Sequence, residues 1–155
     1  ITADARTNEL GTTVAVSAAG GPGGAVTLLA GPYGGALSPV LGAGSFTVPT
    51  TAATRPEVWT VRDGSEVIRI PATGTPQTVS ATTLPGLGTT RAFQLSPDGV
   101  RAAVVVDGPD GGQLMVGTVV RTDDQVAVRD LRAVAPELSQ VVDVAWRTSG
   151  GLLVL

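Results

Sequence analysis

The sequence predicts an all-β fold: antiparallel four-stranded blades of a β-propeller, incomplete, with about three to four blades. Three observations carry that expectation. Apolar residues recur with a period of two, and no 12-residue window keeps a helical i, i+3, i+4 stripe free of Gly and Pro. Those two residue types, 21 Gly and 11 Pro in 155 residues, cut the chain every few positions, as frequent turns require. A strand–turn–strand unit also recurs, most completely at Thr90–Leu95, Ser96-Pro97-Asp98-Gly99, and Val100–Asp107. Its turn chemistry is well matched, because Pro97 presets φ at the first central position and Gly99 supplies a permissive backbone after Asp98.

Weaker copies of the unit are Val14–Ser17 before Ala25–Leu29, Phe46–Pro49 before Val58–Val61, and Val144–Arg147 before Leu152–Leu155. With Ser17, Pro49, Ser96 and Arg147 as equivalent positions, the steps are 32, 47 and 51 residues. Four-stranded blades run to roughly 40–50 residues, so the first step is short.

Residues 1–11 are polar and small and read as a lead-in without a strand. Strands follow at Thr12–Ser17 and Ala25–Ala30, joined by the loop Ala18–Gly24. The Gly- and Pro-rich stretch Gly31–Gly44 leaves room for at most one short strand near Leu37–Leu41, so the first blade is expected to be incomplete. In the second unit, Glu57–Arg62 and Glu66–Ile70 flank Asp63-Gly64-Ser65, and Asp-Gly suits the positive-φ positions of a tight hairpin. Trp59 and Val61 fall on one face of that strand and Val58, Thr60 and Arg62 on the other; Gln77–Ser80 reads as the outer strand. The third unit has strands at Arg91–Leu95, Arg101–Asp107, Gln113–Val120 and Gln125–Ala133, with turns at Gly108–Gly112 and Thr122–Asp124. Pro136–Gln140 is expected to form one helical turn before the fourth unit begins at Val141. The whole chain, 1–155, thus reads as one partial propeller domain with units near 12–44, 45–85, 89–135 and 140–155. A start at Ile1 and an end inside a second strand give the expectation of a fragment.

Composition narrows the chemistry. A net charge of −3, with all ten basic residues being Arg, argues against a phosphate-backbone-binding surface, so no nucleic-acid partner is expected. The Lys-free composition, rich in Ala, Gly, Val, Thr and Pro, matches a GC-rich coding sequence. Absence of Cys removes disulfide and thiolate chemistry, and absence of His removes Ser-His-Asp and Cys-His arrangements and histidine metal sites. No apolar run approaches the roughly 20 residues of a membrane helix.

The motifs that remain favour turns over sites. Asp107–Gly112 puts two carboxylates in a glycine-rich loop, too few for the six to eight oxygens calcium takes, and Asp123-Asp124 reads as a solvated turn. Gly20–Gly24 lacks the Gly-Lys-Ser/Thr of a phosphate cradle, and Gly42-Ala43-Gly44 lacks the third Gly of a dinucleotide loop. Ser96 has no base and no Gly-x-Ser-x-Gly elbow, and the sialidase repeat fails after Gly99. Asp63, Glu66, Asp98, Asp107, Asp110 and Asp143 are by type candidates for a glycosidase pair, but most fall in turns. Asp143 lies on an apolar strand beside Trp146, where a hydrogen bond to nearby backbone is the expected role. Trp59 and Trp146 are expected in the core between blades. No catalytic, cofactor-binding or metal residue is therefore assigned. Candidate interface positions are the turn residues Asp63, Gly64, Asp110 and Gly111. Alternation of hairpin turns sets these two turns on one face of the ring and Ser96–Gly99 with Thr122–Asp124 on the other.

The third and fourth units resemble the propeller domain of the actinobacterial LpqB lipoproteins. The resemblance rests on Leu95–Ala103, on Leu114-Met115-Val116-Gly117, and above all on Val141–Arg147 with Leu152–Leu155; it covers roughly residues 45–155. It implies a lipid-anchored protein outside the cytoplasmic membrane that contacts the external domain of the sensor kinase of the MtrA–MtrB two-component system. It brings no catalytic motif and no cofactor. The family's lipobox Cys and amino-terminal domain are not in this sequence, so the membrane anchor and further blades of the propeller would lie elsewhere in a longer chain. The function expected is thus a non-catalytic extracytoplasmic module that binds and modulates a sensor kinase. The alternatives are a propeller hydrolase or accessory domain acting on envelope glycans or peptides, and a TolB-like structural interaction module.

Overall fold

The structure, a computed structural model, describes residues 3–7, 12–18, 26–32, 35–71, 75–81, 84–122, 125–138 and 140–155. These residues form antiparallel sheets without an α-helix. The first sheet holds β1 (Ala3–Thr7), β2 (Thr12–Ala18), β3 (Val26–Pro32) and β4 (Ser38–Gly44). The second holds β5 (Thr50–Thr51), β6 (Glu57–Arg62), β7 (Glu66–Pro71) and β8 (Gln77–Thr78). β9 (Thr89–Leu95), β10 (Arg101–Gly108), β11 (Gly111–Thr122) and β12 (Gln125–Ala133) make the third, and β13 (Val144–Thr148) pairs with β14 (Gly151–Val154). Within each sheet, strands neighbour one another in chain order, and the first strands of successive sheets, β1, β5, β9 and β13, lie side by side. That is the arrangement of propeller blades packed face to face around their inner strands.

The central strands show why the sequence folds this way. On β6, Trp59 and Val61 join the core shared with blade three, whereas Val58 joins Leu28, Ile68 and Ile70 in the core shared with blade one. On β10, Val104 and Val106 pack toward blade two, and Ala103 and Val105 pack toward Val141, Val144 and the fourth blade. Side chains alternate across a strand, so a run that is apolar at every position fills two inter-blade seams at once. Five consecutive residues of β10, Ala102–Val106, are buried. The outer strands see a seam less well, and β8 is exposed along its length.

Several sequence expectations need correction. The lead-in 1–11 contributes β1, which pairs with β2 from Ala3↔Ser17 to Thr7↔Thr13, so the first blade has four strands. The first step is short because Ser17 lies on the second strand of its blade, whereas Pro49 stands beside the first strand of the next. With alanine as its only apolar residue type, β1 carries a weak strand signal and is held by backbone pairing. Among the described residues of Pro136–Gln140 no helical turn is formed; Leu138 N–H donates to Ala135 C=O (2.9 Å), closing a single tight turn, and residue 139 lies outside the described set. A 3₁₀ turn occurs instead at Leu84–Gly86, where Leu84 is buried. The inner strand of blade two is interrupted around Pro49, which has no N–H to give the ladder. Thr47 N–H still donates to Val61 C=O (2.9 Å), and regular pairing resumes at Thr50↔Trp59.

Candidate functional site

Among the described residues, the strongest concentration of buried charge lies in the seam between blades two and three. Glu57 opens β6 with its side chain only 3% exposed, between two guanidinium groups. Arg69 Nε on β7 donates to Glu57 Oε2 (2.5 Å), and Arg121 Nη2 on β11 donates to Glu57 Oε1 (2.5 Å). Burial alone would push the Glu57 carboxyl up, but the hydrogen bonds from Arg69 and Arg121, with their charges, outweigh it and hold the group below its ordinary range. Arg121 also donates from Nη1 to Gly99 C=O (2.6 Å) and lies 5.7 Å from the Trp59 ring centroid. Trp59 in turn stacks on Phe93 of the next blade, with centroids 6.1 Å apart and planes 6° apart. One carboxylate thus ties β6, β7 and β11 together, and the aromatic pair seals the same seam.

The Ser-Pro-Asp-Gly turn serves the same seam. Gly99 has φ +72°, and its N–H donates to Ser96 C=O (2.8 Å). Ser96 Oγ donates to Asp98 Oδ1 (2.5 Å) and accepts from Arg101 N–H (3.0 Å), while Asp98 Oδ1 accepts from Val100 N–H (3.2 Å). The Ser96 hydroxyl first, and then the Val100 amide, hold the Asp98 carboxyl below its usual value. The turn's carbonyls face blade two: Pro97 C=O accepts from Ala53 N–H (3.0 Å) and Asp98 C=O from Thr54 Oγ1 (3.3 Å). The turn therefore docks one blade on another.

The sequence-selected turns divide into two kinds. Asp63 (φ +48°) and Gly64 (φ +75°) form the tight hairpin expected of Asp-Gly. Asp63 Oδ1 accepts from Ser45 N–H (2.9 Å) and Ser45 Oγ (3.2 Å), the amide bond being the main reason its pKa is lowered. Gly64 C=O accepts from Thr90 N–H of blade three (2.7 Å). Asp110, by contrast, is exposed at the β10–β11 turn. Gly111 beside it has φ +114° and packs against Gln140. At Gly112 a Cβ would fall 1.8 Å from Val141 C=O, so only glycine lets blade four approach here. A hollow of about 170 Å³ beside this turn is lined by Pro109, Asp110, Pro136 and Leu138 among others.

Of the six carboxylates considered for catalysis, five are engaged in holding the fold. Besides Asp63 and Asp98, Glu66 accepts from Arg62 Nε (2.7 Å) and Thr78 Oγ1 (2.8 Å), and Asp107 pairs with Arg91 Nη2 (2.6 Å). Asp143 lies before β13 rather than on it, is exposed, and accepts from Val144 N–H (2.7 Å). Trp59 is fully buried, and Trp146 Nε1 donates to Gln94 C=O of blade three (3.1 Å), so both indoles sit between blades. Among the described residues, no three Asp or Glu side chains converge on a metal-sized site. Asp123 and Asp124 lie outside the described residues.

Sequence reasoning did not single out Glu57, Arg69 or Arg121. The Glu57–Arg69 pair of that cluster was accessible: Arg69 lies opposite Trp59 in the β6–β7 hairpin, diagonal to Glu57 on the same face. Arg121, 64 positions from Glu57, carried no comparable signal.

Comparison with known proteins agrees with this architecture. The chain matches the family described as "Lipoprotein LpqB beta-propeller domain" over residues 3–155. It is 34% identical over 136 residues to Lipoprotein LpqB of Corynebacterium diphtheriae, covering 83% of this chain and 23% of that protein. Lipoprotein LpqB of Rhodococcus jostii is 34% identical over 138 residues (84% of this chain, 22% of that protein). For Lipoprotein LpqB of Mycolicibacterium smegmatis the identity is 31% over 147 residues, 90% of this chain and 24% of that protein. The chain thus spans about a quarter of the length of these relatives. With its matched residues forming antiparallel blades from β1 to β14, the chain belongs to the LpqB lipoprotein β-propeller family.

Proposed function

We propose that this chain is a non-catalytic propeller module of a lipid-anchored protein on the extracytoplasmic face of the membrane, and that it binds and modulates the external domain of an MtrA–MtrB-type sensor kinase. Family membership supports the lipoprotein reading, since the relatives bear that name. The docking surface rests on one observation. Of the two candidate turns, Asp63-Gly64 spends its polar groups on Ser45 and Thr90, while Asp110 stands exposed at the β10–β11 turn with exposed Leu138 beside it. A charged tip next to an apolar side chain is suited to recognising a folded partner, with the charge steering encounter and the apolar neighbour supplying buried area.

Calorimetric titration of the full-length lipoprotein with the kinase's external domain tests this reading. Asp110→Arg should weaken binding by about 1–3 kcal/mol without moving the thermal midpoint. Asp63→Arg serves as the contrast, because it removes the acceptor for Ser45 and should register in stability. Absence of binding by the wild type, or turnover of an envelope glycan or peptide by the protein, would overturn the proposal.

A further inference from the structure

On the face opposite the Asp110 turn, the blade-two to blade-three seam opens into a polar cleft of about 450 Å³. Arg55, Arg69, Gln77, Arg121, Thr122 and Gln125 line it, with Val126 as the apolar contributor. Three guanidinium groups converge here from three separate segments: the loop before β6, the strand β7, and the end of β11. Glu57 compensates part of that charge but is itself shut in behind Arg69 and Arg121, with both carboxylate oxygens occupied. Glu66, the acidic side chain on β7, is held by Arg62 and Thr78. Arg121 is anchored by Nη1 and Nη2, yet its Nε–H is buried without an acceptor. Arg69 is anchored through Nε to Glu57 and through Nη1 to the Gln77 amide oxygen. The site is thus built from two arginines fixed in orientation by a buried carboxylate, an exposed third at the mouth, and the polar side chains of Thr122 and Gln125.

The geometry points to this cleft as a binding site for a phosphate group. Such a site needs several fork-shaped donors whose positions are set before the anion arrives, so that little conformational entropy is lost on binding. A buried carboxylate that orients guanidinium groups without filling the cleft supplies that preorganisation. The inference is independent of the kinase-docking proposal, which concerns the other face of the blades.

The test uses the full-length lipoprotein, titrated at low ionic strength by calorimetry and followed by NMR of the arginine Nε–H signals. Inorganic phosphate and glycerol phosphate are the soluble probes; vesicles containing phosphatidylglycerol, against neutral phosphatidylcholine vesicles, distinguish a lipid headgroup from a free phosphate. Expected are saturable 1:1 binding of at least one phosphate probe, displacement by sulfate but not by chloride at matched ionic strength, and a perturbed Arg121 Nε–H. Arg55→Gln, at an exposed position outside the Glu57 cluster, should weaken binding about tenfold and leave the unfolding midpoint unchanged. Asp123→Asn combined with Asp124→Asn, at the positions following Thr122, should not weaken it. No saturable binding of any phosphate probe, binding indifferent to Arg55→Gln, or loss of binding in the double Asn variant would overturn the assignment.

Discussion

Glu57 illustrates how one side chain decides whether two blades hold together. A carboxylate buried between Arg69 and Arg121 is not in itself a source of net stability, because desolvation offsets much of the Coulomb gain. Removing it is a different matter: two partly buried guanidinium groups would face one another without their shared acceptor. Glu57→Ala should therefore cost about 3–5 kcal/mol, measured by urea unfolding. The pH dependence follows from the lowered pKa. The folded state binds this proton more weakly than the unfolded state, so the stabilisation is fully present above the ordinary value of 4.5 and is lost as pH falls through the lower folded value. Glu57→Gln cannot titrate, and its stability should fall less steeply below pH 4.5 than that of the wild type. Asp98, lowered by its Ser96 and Val100 hydrogen bonds, has the same sign and keeps the variant's profile from being flat.

At the scale of elements, the β9–β10 turn is a docking device as much as a reversal of the chain. Its carbonyls accept hydrogen bonds from Ala53, Thr54 and Arg121, so its conformation is read by the neighbouring blade and by β11. Gly99 is constrained twice, by φ +72° and by the Ala52 Cβ that would lie 2.9 Å from an added methyl. Gly99→Ala should destabilise the chain by about 1–2 kcal/mol from backbone strain alone. The crowding against Ala52 adds to this, and thermal unfolding checks the sum. An unchanged midpoint would show that blade two can retreat from the turn without cost.

For the whole molecule, adjacent blades that share a core are expected to unfold as a pair. Phe93 belongs to β9, but its ring stacks on Trp59 of β6 and lies in a core drawn from both sheets. Phe93→Ala should cost about 3–5 kcal/mol. Because both blades lose the same contact, Trp59 fluorescence, read in a Trp146→Phe background, and far-ultraviolet circular dichroism should shift to lower urea together. Separate transitions by the two probes would mean that each blade is stable alone. The fourth blade adds to its apolar seam with Ala103 and Val105 the close backbone approach of Gly112 to Val141 and the Trp146 hydrogen bond to Gln94.

The alternating residues of β6 and β10, the Asp63-Gly64 hairpin and the Ser96–Gly99 turn were all legible in the sequence. Each is a local matter: strand period, positive φ and turn hydrogen bonding act over a few residues, and composition reports them directly. β1 was not legible, because the alternation Ala3-Asp4-Ala5-Arg6 is short and its only apolar members are alanines, and the strand forms by pairing with β2. Nor could the sequence separate Asp110 from Asp63. Both occupy glycine-containing turns, and only the position of Ser45, 18 residues from Asp63, makes one a structural acceptor and leaves the other exposed. The Glu57 cluster shows the same division, since its hairpin partner Arg69 follows from β6–β7 register while Arg121 arrives from another blade. Period and turn chemistry therefore determined the strands and the class of fold. Which charges are buried, which turns dock and where three arginines meet were decided by blade-to-blade packing, because those contacts join residues whose separation along the chain carries no periodic signal.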